Sequence, residues 1–207
     1  ESLLTILNDV LDFSKIEAGK LVLEKRVFSL KKSVEQVSFL FADSISEKNI
    51  NYHFEYEQGD SSGYFLGDDV RIRQIITNLL SNASKFTNEG QITFRVTVKE
   101  LENGNAKIKF QIIDTGIGIE QNKLDSIFKP FTQADSTTTR EFGGTGLGLS
   151  ISLQLASLMG GELYAESKVE KGSTFTFELQ LEQTDSAQTE SEKFELPSFK
   201  DCGHSIL

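Results

Sequence analysis

Two pairs of segments in this sequence alternate between apolar and polar residues. The first is "QITFRVTVKE" with the turn and return strand "NGNAKIKFQIID", and the second is "GELYAESK" with "STFTFELQL". Successive side chains of a strand point to opposite faces, so each hairpin has one apolar face that must be covered. The sequence therefore predicts an antiparallel or mixed sheet with one apolar face.

Segments with helical spacing supply the covering layer. Residues 1–24 place apolar side chains at helical intervals and begin without an N-cap, as the end of a longer helix would; 30–48 and 150–159 show the same spacing, with Ile151 and Leu155 facing the core. Short strands are predicted at 51–56 and 64–66. We predict an α+β fold, a two-layer α/β sandwich whose mixed or antiparallel sheet carries helices on one face.

The composition limits the class of function. With 207 residues and 38% hydrophobic content, the chain can bury one core, so we expect one domain with appendages. A net charge of -10 argues against a nucleic-acid partner. Cys202, the single cysteine, excludes an internal disulfide framework and a zinc cluster and suits a reducing compartment. No apolar run approaches the ~20 residues of a membrane span. We expect a cytoplasmic domain, in a parent protein that could be membrane-anchored.

One helical segment carries a stripe of amides and cations. On a helix, Arg71, Gln74, Asn78, Asn82 and Lys85 fall within one arc of roughly 80°. The opposite side is apolar and consists of Ile72, Ile76, Leu79, Leu80 and Ala83. A solvated helix face usually mixes glutamate with lysine, which this stripe does not. The residues alone leave two interpretations open, a solvated surface and a binding surface.

Two glycine-rich segments follow predicted strands. "IIDTGIGIE" ends a strand in Asp114 and continues with Gly116 and Gly118, whereas "FGGTGLGLS" places its glycines just before a helix. Glycines at a helix start let backbone N–H groups approach an anion, and the helix dipole favours negative charge there, so phosphate is the expected ligand. Neither segment is a P-loop or a G-x-G-x-x-G motif. Each by itself is equally compatible with a tight turn.

Taken together, these segments resemble a known family. "DDVRIRQIITNLLSNASKFTNEG", "DTGIGIE", "IFKPFTQADSTTTREFGGTGLGLSIS" and "GSTFTFEL" are similar, in this order, to the N, G1, F with G2, and closing segments of the ATP-binding catalytic domain of sensor histidine kinases, especially hybrid ones. The resemblance spans about residues 28–181 and implies the histidine kinase ATPase (Bergerat) fold of the GHKL superfamily. "ILNDVLDFSKIEAGKL" is similar to the end of that family's dimerisation and phosphotransfer helix.

The resemblance also implies roles for individual residues. Asn82 would ligate Mg²⁺ through an amide oxygen, a hard ligand without charge, while Asn78 would support the metal and phosphates. Lys85 would contact phosphate and Phe86 would pack against adenine. Asp114 would accept a hydrogen bond from the exocyclic amine of adenine, where guanine presents a carbonyl, so ATP is preferred over GTP. The remaining nucleotide-binding positions would be Gly116, Gly118, Ile119, Gly144, Thr145, Gly146, Leu147 and Gly148.

Further expectations concern domain organisation and partners. Residues 1–24 would be the end of the dimerisation helix, 25–183 the ATP-binding domain with a lid at about 121–142, and 184–207 a linker, polar from about Glu182, to a receiver domain. Phe128 and Phe131 are expected to anchor the lid to the core. His53 and His204 lack the surroundings of a phosphoacceptor, so the chain should bind ATP and Mg²⁺ without phosphorylating itself. The full-length protein would be a homodimer.

Alternatives stay open at this point. The same ATP-binding fold occurs in type II topoisomerases, mismatch-repair ATPases and heat-shock chaperones, although the lid and the N-terminal helix fit the kinases better. The domain could also be a degenerate kinase retained as an interaction module, or part of a protein that acts mainly as a phosphatase. One departure from the family pattern is Glu170, which stands where a glycine is often found and puts the turn before Gly172 in doubt.

Overall fold

A computed structural model describes residues 3–59, 63–101, 104–132 and 146–184. The helices are α1 (Leu3–Glu17), α2 (Leu30–Ser46), α3 (Asp69–Phe86) and α4 (Gly148–Leu158), with a 3-10 turn at Gln121–Lys123. The strands are β1 (Arg26–Ser29), β2 (Asn51–Glu57), β3 (Tyr64–Gly67), β4 (Gln91–Glu100), β5 (Asn105–Asp114), β6 (Glu162–Lys168) and β7 (Gly172–Thr184).

The described strands form one seven-stranded mixed sheet, in which six strands follow the order β1-β3-β7-β5-β4-β2 and the seventh, β6, pairs with β7. The β2–β4 pair is parallel and the other pairs are antiparallel. Strand β7 is the axis of this arrangement, because β5 pairs along one of its edges while β6 and β3 share the other. The predicted α+β class with a mixed sheet is confirmed.

Alternation along β4 and β5 decides which face of the sheet the helices cover. Ile92, Phe94, Phe110 and Ile112 are fully buried on that face, where α2 and α3 pack. The opposite face carries polar residues, including Glu178, which pairs with Lys107 and Lys109 across neighbouring strands. A sheet with one apolar face needs only one covering layer, and this explains the two-layer architecture.

Side-chain caps fix where the two central helices begin. The side chain of Ser29 accepts a hydrogen bond from Lys32 N–H at the start of α2, and Asp68 Oδ1 accepts one from Arg71 N–H at the start of α3. Each satisfies a backbone donor that the first helical turn leaves without a partner. Among the described residues, none of the helices combines the length and apolarity needed to cross a membrane.

The structure moves the ends of two predicted elements and adds one strand. Helix α1 ends at Glu17 instead of residue 24, since Gly19 adopts a left-handed φ of 62°. Strand β1 was not predicted, because its four residues are too short for a visible alternation. Strand β7 continues through Glu182 to Thr184, where Tyr64 supplies a pairing partner, so the polar residues at its end belong to the sheet.

Candidate nucleotide-binding site

Asp114 stands at the last position of β5 and is 6% exposed. Its Oδ1 accepts a hydrogen bond from Gly116 N–H at 2.8 Å, and the backbone N–H of Ser173 also donates to the carboxylate. Burial raises the pKa of Asp114, while these two hydrogen bonds act in the opposite direction. The side chain is therefore a buried, preorganised hydrogen-bond acceptor at the end of a central strand.

The loop after Asp114 packs closely against two neighbouring backbones. A Cβ atom at Gly116 would overlap the carbonyl oxygen of Phe86, and one at Gly118 would overlap that of Lys168. Gly118 also has a left-handed φ of 70°. Larger side chains would push this loop away from α3 and from the β6–β7 turn. Both positions therefore require glycine, because the backbone of the loop lies in close contact with these two neighbours.

The C-terminal turn of α3 lies beside this loop. The carbonyl oxygen of Phe86, the last residue of α3, accepts a hydrogen bond from Ile117 N–H at 3.2 Å. Lys85 Nζ stands 5.1 Å from the centre of the Phe86 ring, within the range of a cation–π contact. Asn82, one turn earlier, is partly exposed. The structure therefore joins the C-terminal end of α3, which carries Asn82, Lys85 and Phe86, to the Asp114 loop through Phe86.

Asn78 contacts the start of α4. Its Nδ2 donates a hydrogen bond to Ser152 Oγ at 2.9 Å, and its Oδ1 lies where a Cβ of Gly148 would stand. The Asn78 side chain thereby links α3 to α4, and its amide fixes the position of α4 relative to α3. Ser152, 2% exposed, was not identified from the sequence, because a serine within an apolar helix gives no pattern of its own.

The polar stripe of α3 divides between two partners. Arg71 and Gln74 both donate to Asp12 Oδ2 of α1 at 2.9 Å, so the N-terminal half of the stripe binds a neighbouring helix. Asn82 and Lys85 occupy the other end of the stripe, in the part of α3 that ends at Phe86, whose carbonyl oxygen binds the Asp114 loop. Neither of the two interpretations, a solvated surface or a binding surface, therefore describes the whole stripe. The stripe serves helix packing at one end and faces the candidate site at the other.

Of the predicted lid, the structure describes only the first part, residues 121–132. Phe128 packs edge-on against Phe175, as expected for an anchor. The prediction that Phe131 anchors the lid to the core is wrong. Its side chain is 70% exposed, its φ is 58°, and the centre of its ring lies 6.1 Å from that of Phe13 in α1. Gly146 N-terminal to α4 accepts a hydrogen bond from Phe131 N–H at 3.1 Å. Residues 133–145, with Gly144 and Thr145, lie outside the described part of the chain.

Two further site residues have contacts that limit what they can offer. Leu147 is 1% exposed, so its side chain belongs to the core and only its backbone is available to a ligand. Ile119 N–H donates to Ser167 Oγ at 2.8 Å, which joins the Asp114 loop to β6. Ser167 and Ser173 were missed from the sequence, because hydroxyl residues in alternating strands look like ordinary polar positions.

The donor set fits a magnesium ion that is held mainly by phosphates. No cluster of three or more His, Cys, Asp or Glu side chains able to hold a metal occurs among the described residues. Mg²⁺ usually keeps several waters and takes few protein ligands where phosphates are present. The partly exposed amide of Asn82 is a hard oxygen donor of the kind required, next to the cation of Lys85.

The chain is similar to several known proteins. A sequence profile described as "Histidine kinase-, DNA gyrase B-, and HSP90-like ATPase" matches residues 67–183. The signal transduction histidine-protein kinase BarA of Escherichia coli (strain K12) is 44% identical over 181 residues, which cover 87% of this chain and 20% of BarA. Hybrid signal transduction histidine kinase F of Dictyostelium discoideum is 45% identical over 184 residues, covering 88% of this chain and 16% of that protein.

A solved structure has a similar fold. The crystal structure of full-length ShkA in complex with AMPPNP matches with a TM-score of 0.75 and 29% identity, covering 89% of this chain and 37% of that chain. The chain thus spans one fifth or less of the length of the two curated relatives, at 20% and 16%.

Proposed function

Since the chain belongs to the family of histidine kinase-, DNA gyrase B- and HSP90-like ATPases, we propose that it serves a two-component sensor histidine kinase as its ATP-binding catalytic domain. In that role it would present ATP so that the γ-phosphoryl group passes to a histidine on the dimerisation domain. Similarity to BarA and to hybrid kinase F favours the kinases over the other ATPases of the family. The observation that carries the proposal is the buried carboxylate of Asp114 beside the glycine loop and the end of α3.

Asp114 is the residue that we assign to base recognition. A carboxylate held by Gly116 and Ser173 has free acceptor capacity and accepts a hydrogen bond from the exocyclic amine of adenine. Guanine presents an acceptor at that position, which the carboxylate repels. Gly116 and Gly118 let the loop pack against its neighbours and so leave room for the base, and Ile119 belongs to the same loop. Phe86 provides an aromatic ring against which the base can pack.

Asn82, Asn78 and Lys85 are the residues that we assign to the metal and the phosphates. Mg²⁺, when bound, neutralises charge on the transferring phosphoryl group. Asn82 would hold the ion through its amide oxygen, and Lys85 would attract the phosphates as a point charge. Asn78 would act by keeping α4 in place. Backbone N–H groups from Gly144 to Gly148, with the Thr145 hydroxyl, would face the phosphates at the start of α4.

The phosphoacceptor is proposed to come from outside this chain. His53 is exposed on β2, and His204 lies outside the described residues. Transfer breaks the bond between the γ-phosphorus and the bridging oxygen, releases ADP and forms a P–N bond on the acceptor histidine. We assign residues 1–24 to the end of the dimerisation domain and 184–207 to a linker towards a receiver domain, in a homodimeric parent. Because ATP is the substrate, we place the domain in the cytoplasm, in a parent that could be membrane-anchored.

The test is calorimetric titration of the chain with a nonhydrolysable ATP analogue, with and without Mg²⁺, alongside a GTP analogue. We expect magnesium-dependent binding that prefers adenine. Asn82→Ala should remove the magnesium dependence, whereas Asn88→Ala, an exposed asparagine just beyond α3, should bind as the wild type does. Absence of binding by the wild type in every condition would overturn the proposal and leave an interaction module as the better interpretation.

Kinase activity needs a second experiment, because the chain lacks the acceptor. Adding a separate dimerisation domain that carries its histidine should restore phosphohistidine formation from labelled ATP. Steady ATP turnover by the chain alone, without any acceptor, would instead favour the ATPase branches of the family.

A further inference from the structure

The hydroxyl of Ser167 lies at the centre of a hydrogen-bond network behind the Asp114 loop. Ser167 Oγ accepts from Ile119 N–H at 2.8 Å, donates to the carbonyl oxygen of Gly172 at 2.9 Å, and lies 2.9 Å from Ser173 Oγ. A serine hydroxyl has one donor and two acceptor lone pairs. If Ser173 Oγ donates to it, all three positions of the Ser167 hydroxyl are used within the protein.

This network joins the two segments that hold Asp114. Ile119 belongs to the loop after Asp114, whereas Gly172 and Ser173 begin β7, and Ser173 N–H donates to the Asp114 carboxylate. The register places Ser167 opposite Ser173 and Ser173 opposite Asp114, so the three residues stand side by side across β6, β7 and β5. A shift of the loop relative to the β6–β7 turn would therefore change the hydrogen bonds made by the carboxylate.

We propose that Ser167 is a positioning residue for nucleotide recognition, which fixes the loop from Asp114 to Ile119 on the β6–β7 turn and so sets the direction in which the Asp114 carboxylate accepts from the base. The inference rests on the proposed function, because it assigns Ser167 a role at the same site. Ser167 does not touch the nucleotide in this role. It acts through Ile119 on one side and Ser173 on the other.

Other hydrogen bonds hold the middle of the Asp114 loop, so removal of the Ser167 hydroxyl should affect only the end of the loop. Ile117 N–H donates to Phe86, and Glu170 N–H donates to the Ile117 carbonyl oxygen at 2.9 Å, so the middle of the loop stays attached without Ser167. Removing the hydroxyl leaves Ile119 N–H without this acceptor and frees the end of the loop. In Ser167→Ala the fold should therefore persist, while the Asp114 carboxylate should lose its fixed orientation towards the base.

The experiment compares Ser167→Ala, Ser167→Thr and Tyr164→Phe. Tyr164 is the matched control, since it lies on β6 and loses a hydroxyl bonded to Glu178 at 3.3 Å, away from the loop. We expect Ser167→Ala to bind the ATP analogue about tenfold more weakly and to lose a similar factor in preference over the GTP analogue, as for one lost hydrogen bond. Ser167→Thr, which keeps a hydroxyl, should bind as the wild type does, and so should Tyr164→Phe.

The ratio of affinities for the ATP and GTP analogues is the readout that a purely structural role would not move, and amide hydrogen exchange checks that the change begins at the end of the loop. Ile119 N–H should exchange faster in Ser167→Ala and regain its protection in Ser167→Thr, with the amides of β4 unchanged. Should Ser167→Ala fail to fold, Ser173→Ala is the second variant. It removes the hydroxyl beside Ser167 but keeps the backbone donor to Asp114, and we expect a smaller loss of adenine preference in the same direction.

The outcomes separate this inference from the proposed function. A wild-type chain that binds neither analogue overturns the proposed function. A wild type that prefers the ATP analogue, together with a Ser167→Ala variant of unchanged preference and unchanged Ile119 exchange, overturns only the positioning role. Equal weakening towards both analogues, with preference intact, also overturns it, since a general loss of stability would produce that result.

Discussion

Asp12 of α1 and Arg71 of α3 form an ion pair with an N···O distance of 2.9 Å, and the same carboxylate oxygen accepts from Gln74. Both charged side chains are largely shielded from solvent, at 16% and 23% exposure. The pair connects the N-terminal helix to the helix that carries Asn78, Asn82 and Lys85. Asp12 of α1 therefore binds two side chains of α3 at once.

Asp12→Ala should weaken the attachment of α1. The variant leaves the Arg71 guanidinium and the Gln74 amide without this acceptor, at a cost of about 1–2 kcal/mol. Limited proteolysis and amide exchange should show earlier cleavage and faster exchange in α1, with α3 unchanged. Lys15→Ala, an exposed substitution on the same helix, is the control. Equal protection of α1 in both variants would contradict a role for the ion pair.

Asp114→Asn should reduce the preference for adenine. The amide replaces one acceptor oxygen with a donor, which opposes the exocyclic amine of adenine and suits the carbonyl of guanine. We expect affinity for an ATP analogue to fall about 10- to 100-fold, with a smaller change for the GTP analogue. Asp125→Asn, at an exposed position, is the control. An unchanged ratio between the two affinities would remove Asp114 from base recognition.

The same carboxylate makes ATP binding sensitive to acid. Burial raises the pKa of Asp114 above the ordinary value of 3.8, so it takes up a proton at a higher pH than an exposed aspartate does. The proton converts an acceptor into a donor, and affinity for the ATP analogue should fall on acidification. Titrations at decreasing pH check this. The dependence should be weaker in Asp114→Asn, which has no proton to gain.

Glu170→Gly should stabilise the fold. Glu170 has a left-handed φ of 61° in the β6–β7 turn, where an L-residue is strained by roughly 1–2 kcal/mol and glycine is not. Because glycine loses more backbone entropy on folding, we expect a net gain of about 0.5–1 kcal/mol in the free energy of unfolding. Denaturant titration measures it. Lys171→Gly, at a neighbouring residue without positive φ, should lose stability instead.

Tyr56→Phe should be neutral or stabilising at neutral pH. The Tyr56 hydroxyl is buried without a hydrogen-bond partner, and removing such a group avoids a desolvation cost of about 1 kcal/mol or more. Thermal unfolding measures the change. A clear loss of stability would mean that the hydroxyl makes a favourable contact.

Alkaline pH should destabilise the wild type more than this variant. Burial first, and the charge of Glu35 second, raise the pKa of Tyr56 from 10.0 to about 12. The folded state therefore holds this proton more tightly than the unfolded state. The contribution of the protonated Tyr56 to the free energy of unfolding is complete below pH 10 and is lost as pH rises to about 12. Burial also raises the pKa of Tyr52, opposed by its hydrogen bond to Ser38, so part of the alkaline loss should remain in Tyr56→Phe.

Much of the architecture was predictable from local pattern. Alternation in β4 and β5 predicted a sheet with one covered face, since strand geometry makes side-chain direction a function of position alone. The family resemblance, carried by ordered motifs, predicted the ATPase fold and is confirmed by the profile match and by the similarity to ShkA. The assignment of Mg²⁺ to Asn82 and of base recognition to Asp114 stays a prediction.

The sequence by itself determined the sheet with its covered face, the asparagine helix and the glycine segments, because each depends on residues that are near neighbours along the chain. Only the tertiary structure decided that Arg71 and Gln74 bind Asp12, that Asn78 binds Ser152, and that Ser167 joins the Asp114 loop to β7. These contacts join residues far apart in sequence, and a hydroxyl or amide shows no preference for its partner until the elements pack. The physical reason is that hydrogen bonds are directional and short, so their partners are fixed by packing and not by spacing.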